Sequence, residues 1–192
     1  METVKLTPEY AEAVADLEQR VYPSELVTGV DTIRENLTNA ENDGENVSWG
    51  VFSGNHMVGY CMAWVQSSML EGREREDVVL LEDIALLPGH QSSFLSLLEA
   101  MTGDMRALGF GRLPIEGASR AAAFKVFSKH GEIFKNLGYT LVASQEYWDE
   151  EFSETMTWVR FEPLEEDYMP EPELRGAGEG EELHPAEPSD VA

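Results

Sequence analysis

Glu82 and Asp83 stand side by side in an otherwise apolar run, Val78 to Leu87. A carboxylate held among apolar groups at a cleft resists ionisation, which suits it to accept a proton from a substrate. Strand alternation sends neighbouring side chains to opposite faces, so only one of the two is expected to point into a given cleft. Pro88-Gly89 ends the run, and a polar stretch, His90-Gln91-Ser92-Ser93, leads into an amphipathic segment. The start of a helix favours anions through its unpaired amides and its dipole, and Ser92 and Ser93 add hydroxyls there. The plainer reading is that the serines only cap the helix while Phe94 packs in the core.

Other chemistries are disfavoured. A single cysteine, Cys61, excludes an internal disulfide and a cysteine-based zinc cluster, and the four histidines (His56, His90, His130, His184) lie too far apart for a local metal motif. No metal is expected. Thirteen Lys and Arg against 37 Asp and Glu give a net charge of −24. That balance disfavours phosphate-based nucleic-acid binding and an anionic membrane surface, and favours cationic ligands or basic partners. No apolar run approaches the roughly 18 to 20 residues of a membrane helix. The opening Met1-Glu2-Thr3-Val4-Lys5 lacks the pattern of a secretory signal, so an intracellular, cytoplasmic location is expected.

The elements that must position these residues follow from periodicity. Pro8 to Val21 reads as an amphipathic helix capped by Thr7, and Asp31 to Leu37 as a second, capped by Asp31, with a polar loop from Asn39 to Asn46. Val47–Phe52 and Met57–Val65 read as a hairpin, and Val78–Leu87 as a buried central strand. Ser93–Leu108 is a clear helix ended by Gly109. Arg112–Glu116 reads as a strand, Ser119–Lys129 as a helix, Glu132–Leu137 as a short helix, and Tyr139–Tyr147 with Thr155–Phe161 as a closing strand pair. The expected class is α/β (α+β): a mixed central sheet of about six to seven strands flanked by helices. Residues 1–162 form the expected domain. Residues 163–192 carry ten acidic residues and one basic one, with five prolines, and read as a solubilising tail, disordered unless bound in an assembly.

This order resembles the GCN5-related N-acetyltransferase (GNAT) superfamily over most of residues 1–162. Three pieces carry the resemblance: Leu80-Leu81-Glu82-Asp83-Ile84-Ala85-Leu86-Leu87-Pro88 followed by a polar loop and a helix ending Ala107-Leu108-Gly109-Phe110; Ala118-Ser119-Arg120-Ala121-Ala122-Ala123-Phe124-Lys125-Val126-Phe127; and Phe134-Lys135-Asn136-Leu137-Gly138-Tyr139. The resemblance implies acetyl-CoA as co-substrate, lying where two central strands splay apart. Its pantetheine would pair with backbone around Ile84, Leu86 and Leu87, and its pyrophosphate would sit on the helix start near Gln91, Ser92 and Ser93, with Ser119 on the later segment. Glu82 matches the family's acidic residue and is the implied base. Two departures stand out. The phosphate loop carries Phe94 where the family has glycine, and Phe127 or Phe134 stands where the family often has a proton-donating tyrosine.

Two functions therefore stand open on the sequence. One is an acyl-CoA-dependent N-acetyltransferase acting on a primary amine, in a small molecule or a basic peptide. The other is a catalytically degenerate GNAT-fold protein, acting as a structural or binding subunit of a larger assembly such as a virion; on either function, a homo-oligomer or a large assembly is open as the partner state. An acidic mimic of DNA is a weaker third.

Overall fold

The computed structural model describes residues 1–67, 76–120, 131–150 and 153–164, with the backbone alone at Ser119 and Arg120. Seven strands among these residues form one mixed sheet: β1 (Glu2–Lys5), β2 (Trp49–Ser53), β3 (His56–Ser67), β4 (Asp77–Leu86), β5 (Ile115–Arg120), β6 (Tyr139–Asp149) and β7 (Glu154–Pro163). Their order is β1-β2-β3-β4-β5-β7-β6, and every neighbouring pair is antiparallel except β4 and β5, which run parallel. The helices are α1 (Ala11–Val21), α2 (Val30–Asn42), α3 (Ser93–Ala107) and α4 (Gly131–Asn136). The mixed, helix-flanked sheet expected from the sequence is present.

The two sides of the sheet are read from β3. Tyr60 reaches α1, where its hydroxyl meets Glu18, whereas the next residue, Cys61, places its sulfur 3.5 Å from that of Met101 on α3. Strand alternation thus sends one face to α1 and the other to α3. Val14 and Leu17 of α1 cover the first face, with Ile33 and Leu37 of α2, which packs on α1, buried in the same core; Leu97, Leu98, Met101 and Met105 of α3 cover the second.

Four local expectations change. Strand β1 was not foreseen: its four residues are too few to show a period, and pairing with β2 decides it. Helix α2 starts after Gly29 rather than Asp31 and runs on to Asn42, because Ala40 is buried and packing outweighs the weak propensity of its polar neighbours. Thr7 precedes a short 3-10 turn, Pro8–Tyr10, and makes no capping hydrogen bond. Ser119 lies in β5, opposite Thr157 of β7, not at a helix start; cross-strand pairing overrides the low strand propensity of Gly117-Ala118-Ser119. Residues 121–130 of that expected helix lie outside the described residues. Strand β7 reaches Pro163, and the Leu164 amide donates to the Gly138 carbonyl at 2.7 Å.

One ion cluster ties the closed end of the sheet. Arg160 on β7 is 3% exposed and lies opposite Glu116 of β5. Its guanidinium meets Glu116 and Glu76 at 2.6 Å each and Glu162 at 2.5 Å. Glu116 is fully buried, so removing Arg160 takes the cationic partner in this ion pair from a carboxylate shut away from water. Replacing Arg160 by Met is expected to lower stability by about 3–5 kcal/mol. Urea unfolding checks this, and a change within about 0.5 kcal/mol would show that the cluster does not hold the sheet.

Candidate active site

Strands β4 and β5 pair only at Val79–Ile115 and Leu80–Glu116. Beyond that point β4 continues to Leu86 beside β3, and β5 continues to Arg120 beside β7. The two parallel neighbours therefore part, and the sheet is held on both sides of a fork. Gly117 marks its base: a Cβ there would stand 2.9 Å from the Leu81 carbonyl oxygen, so the strands are still in close approach before they diverge.

The exposed edge of β4 follows from its ladder with β3. The Leu87 amide donates to the Val58 carbonyl at 2.9 Å. Alternate residues of an antiparallel strand turn their backbone groups to opposite edges, so Ala85 faces β3 as Leu87 does, while Leu86 and the Ile84 carbonyl turn across the fork. Ile84 and Leu86, expected from the sequence to pair with pantetheine, thus turn backbone groups toward the gap. The Leu87 amide does not, because β3 has taken it.

A β-bulge sits in the same stretch. Met62 lies opposite Asp83, and Ala63 lies opposite Leu81, which leaves Glu82 as the extra residue on β4. The bulge breaks the alternation assumed for the Glu82–Asp83 pair. Leu81 shares the α3 face with Cys61 and Ala63, yet Asp83, two residues on, shares the α1 face with Tyr60 and Met62. Without the inserted residue Asp83 would point the other way.

On the α1 face Asp83 enters a hydrogen-bonded group. The Tyr22 hydroxyl donates to its Oδ1 at 2.8 Å, and the Tyr60 hydroxyl bonds its Oδ2. Tyr60 also lies 3.2 Å from Glu18 Oε1, and Glu18 Oε2 accepts the Thr28 amide at 2.6 Å. Burial raises the Asp83 carboxyl above its ordinary range, against the opposing bonds from Tyr60, Tyr22 and the Ile84 amide. Burial likewise raises Glu18, with the Asp83 charge adding to it, and pushes the Tyr22 and Tyr60 phenols up. Glu82 is different: it opens to solvent but is crowded by protein, and that desolvation, together with the Asp83 charge, raises its carboxyl. The site thus offers one accessible carboxylate of increased basicity beside an enclosed one.

The loop before α3 departs from expectation. Ser92 is the residue before the helix, but its backbone is already helical (φ −62°, ψ −20°), and its hydroxyl makes no capping bond. Ser93 is buried, with its hydroxyl 3.4 Å from the Met1 sulfur. The Ser93 amide donates to His90 and the Phe94 amide to Gln91, at 2.9 and 3.1 Å, so both are spent within the turn. Gln91 and Ser92 are exposed, and the Ser119 backbone lies on the β5 arm of the fork. Phe134 is fully buried and stacks on Phe161, their ring centroids 4.0 Å apart, with no proton to give. Phe127 lies outside the described residues. The Tyr139 hydroxyl donates to the Gly111 carbonyl at 3.1 Å, and burial pushes it up to about 12.

Glu18, Tyr22 and Tyr60 were missed by sequence reasoning. Glu18 sits on the buried side of α1, among Val14, Ala15 and Leu17, and a buried glutamate inside an apolar helix stripe is the signal that pointed to it. Gly117→Ala is expected to press on backbone rather than on a flexible side chain, costing about 1–3 kcal/mol. A thermal melt that leaves the midpoint unchanged would show that the strands are not in close approach there.

No protein-family model matches the sequence, and no curated protein is detectably similar to it. Solved structures are. The ribosomal-protein-S18-alanine N-acetyltransferase of Escherichia coli superposes with a TM-score of 0.59 at 15% identity, over 95% of this chain and 98% of that one. Diaminobutyrate acetyltransferase EctA of Paenibacillus lautus, solved with L-2,4-diaminobutyric acid and coenzyme A, gives 0.59 at 16% identity, over 84% and 94%. GphF, a GNAT-like decarboxylase solved with isobutyryl-CoA, gives 0.62 at 14%, over 86% and 100%. The parted parallel strands, the bulge and these superpositions together give the chain the GNAT fold.

Proposed function

We propose that the chain is an acyl-CoA-dependent N-acetyltransferase that moves an acetyl group to a primary amine. The observation that carries this reading is the fork: backbone of Leu86 and Ile84 turned into a gap between parted strands, with the accessible Glu82 at the bulge beside it. An extended amide-bearing arm pairs with such an edge as an added strand would. Acetyl-CoA supplies the activated acyl group as a thioester. Glu82 takes a proton from the attacking amine, the new C–N bond forms, the C–S bond breaks, and CoA leaves as the thiolate. Phe134, at one of the two positions aligned with the tyrosine of the resembled family, has no proton to give, and solvent protonates that thiolate. Exposed Gln91 and Ser92 remain for the pyrophosphate, while the amides of Ser93 and Phe94 do not.

The acceptor class follows from charge and from the neighbours. Residues 1–162 carry −15 of the net charge, which draws cations toward the fork. One neighbour is named for an alanine of ribosomal protein S18 and another has L-2,4-diaminobutyric acid as its substrate, which supports a small amine or a basic peptide here. The decarboxylase shows that the fold also hosts other CoA chemistry, so the site and not the fold must carry the assignment.

The test is thiol release from acetyl-CoA with polyamines and alanine-terminated peptides as acceptors, beside calorimetric binding of acetyl-CoA. Transfer is expected, with the rate falling as pH drops through the raised range of Glu82, because only the ionised form accepts a proton. Glu82→Gln is expected to lower kcat by about 10²- to 10⁴-fold with little change in acetyl-CoA binding. Absence of both acetyl-CoA binding and thiol release would overturn the assignment and leave a GNAT-shaped binding subunit.

A further inference from the structure

Tyr60 has one hydroxyl proton, yet its oxygen lies within hydrogen-bonding reach of two carboxyl groups, Glu18 Oε1 and Asp83 Oδ2. A phenol donates once and accepts elsewhere. If both carboxyls were ionised, one contact would set two oxygens against each other with no proton between them, in a pocket where Glu18 is 2% exposed. One further proton satisfies both of the contacts that Tyr60 makes with carboxyl groups. The partners decide where it rests. Asp83 receives bonds from Tyr60, Tyr22 and the Ile84 amide, which favour its anion. Thr28 meets Glu18 through its amide, on Oε2, and through its hydroxyl, and Glu18 Oε1 is left facing Tyr60, whereas both oxygens of Asp83 are met by tyrosine hydroxyls.

We propose that Glu18 is held as the neutral acid, donating from Oε1 to Tyr60, which donates in turn to an ionised Asp83. The chain runs Glu18–Tyr60–Asp83, and Glu18 is a positioning residue: it touches no substrate and acts by keeping Asp83 charged. The groups facing Glu18 are Tyr22 at the end of α1, Tyr60 on β3 and Asp83 on β4, with Thr28 contributing its amide and hydroxyl from the α1–α2 connection; Glu82 lies beyond, next to Asp83. The consequence reaches the fork, because the charge on Asp83 is one of the two causes that raise Glu82. This last step rests on the proposed acetyl transfer; the stored proton does not.

The sign follows from linkage. A carboxyl that keeps its proton in the folded state above the range of the unfolded chain adds stability that is full at low pH and is lost as pH rises through the raised value. Infrared spectroscopy of the folded protein at neutral pH is expected to show a protonated-carboxyl band that shifts on ¹³C labelling of glutamate and not of aspartate. The band should persist in Glu82→Gln and vanish in Glu18→Gln, whose amide donates to Tyr60 as the neutral acid does. The fall of Tm with rising pH should be smaller in Glu18→Gln than in the parent chain. A neutral-pH spectrum of the unsubstituted protein with no glutamate-derived band overturns the inference whether or not any variant folds, as does a band that shifts with labelled aspartate. If the band behaves as expected while no acetyl transfer is found, the proton chain stands and the proposed activity falls.

Discussion

The organising constraint is the brevity of the parallel pairing between β4 and β5. Hydrogen bonding joins them over Val79–Leu80 and Ile115–Glu116 and then stops, although both strands go on. Backbone groups without partners are costly when dry, so such a gap persists only where water or a ligand satisfies them. Each arm is secured from its outer side: β4 by a long ladder to β3, β5 by one to β7. The Arg160 cluster clamps the closed end, where Glu116 and Glu76 approach the same guanidinium. The fork is therefore a rigid opening rather than a frayed edge.

The bulge at Glu82 sets the surroundings of the two carboxyls beside that opening. One inserted residue puts Leu81 in the core against α3 and, two residues later, Asp83 against Tyr22 and Tyr60 on the opposite face. The same insertion leaves Glu82 outside the regular ladder, open to solvent and next to the half-buried carboxyl of Asp83. Two adjacent carboxyls thus acquire different surroundings from a single irregularity. The tyrosines and Glu18 complete the arrangement from α1 and β3, linking the base of the site to the connection that carries Thr28.

Much of the fold was legible because the apolar periods are strong. The helix from Ser93, the hairpin around Gly54 and the apolar β4 run all appear close to where the sequence placed them. What remained hidden depends on register. No local pattern says that Met62 faces Asp83 while Ala63 faces Leu81, and so the two carboxyls were assigned to faces by an alternation that the bulge breaks. The same holds for the Leu87 amide, whose capture by Val58 is a property of the ladder. Ser92 and Ser93 matched a capping pattern, but the preceding turn draws Ser92 into helical geometry and buries Ser93. The cluster of Glu18, Tyr22 and Tyr60 joins residues far apart in the chain, and only the packing of α1 on the sheet brings them together.

Amide hydrogen exchange resolved at Leu86 is the most direct measurement of whether the fork receives an acyl-CoA arm. With saturating acetyl-CoA, the Leu86 amide should become strongly protected, because a bound amide chain would accept its hydrogen, while the Leu87 amide, already bonded to Val58, should change little. Equal exchange at Leu86 with and without acetyl-CoA would contradict the account, for the open edge of β4 would then hold no such ligand.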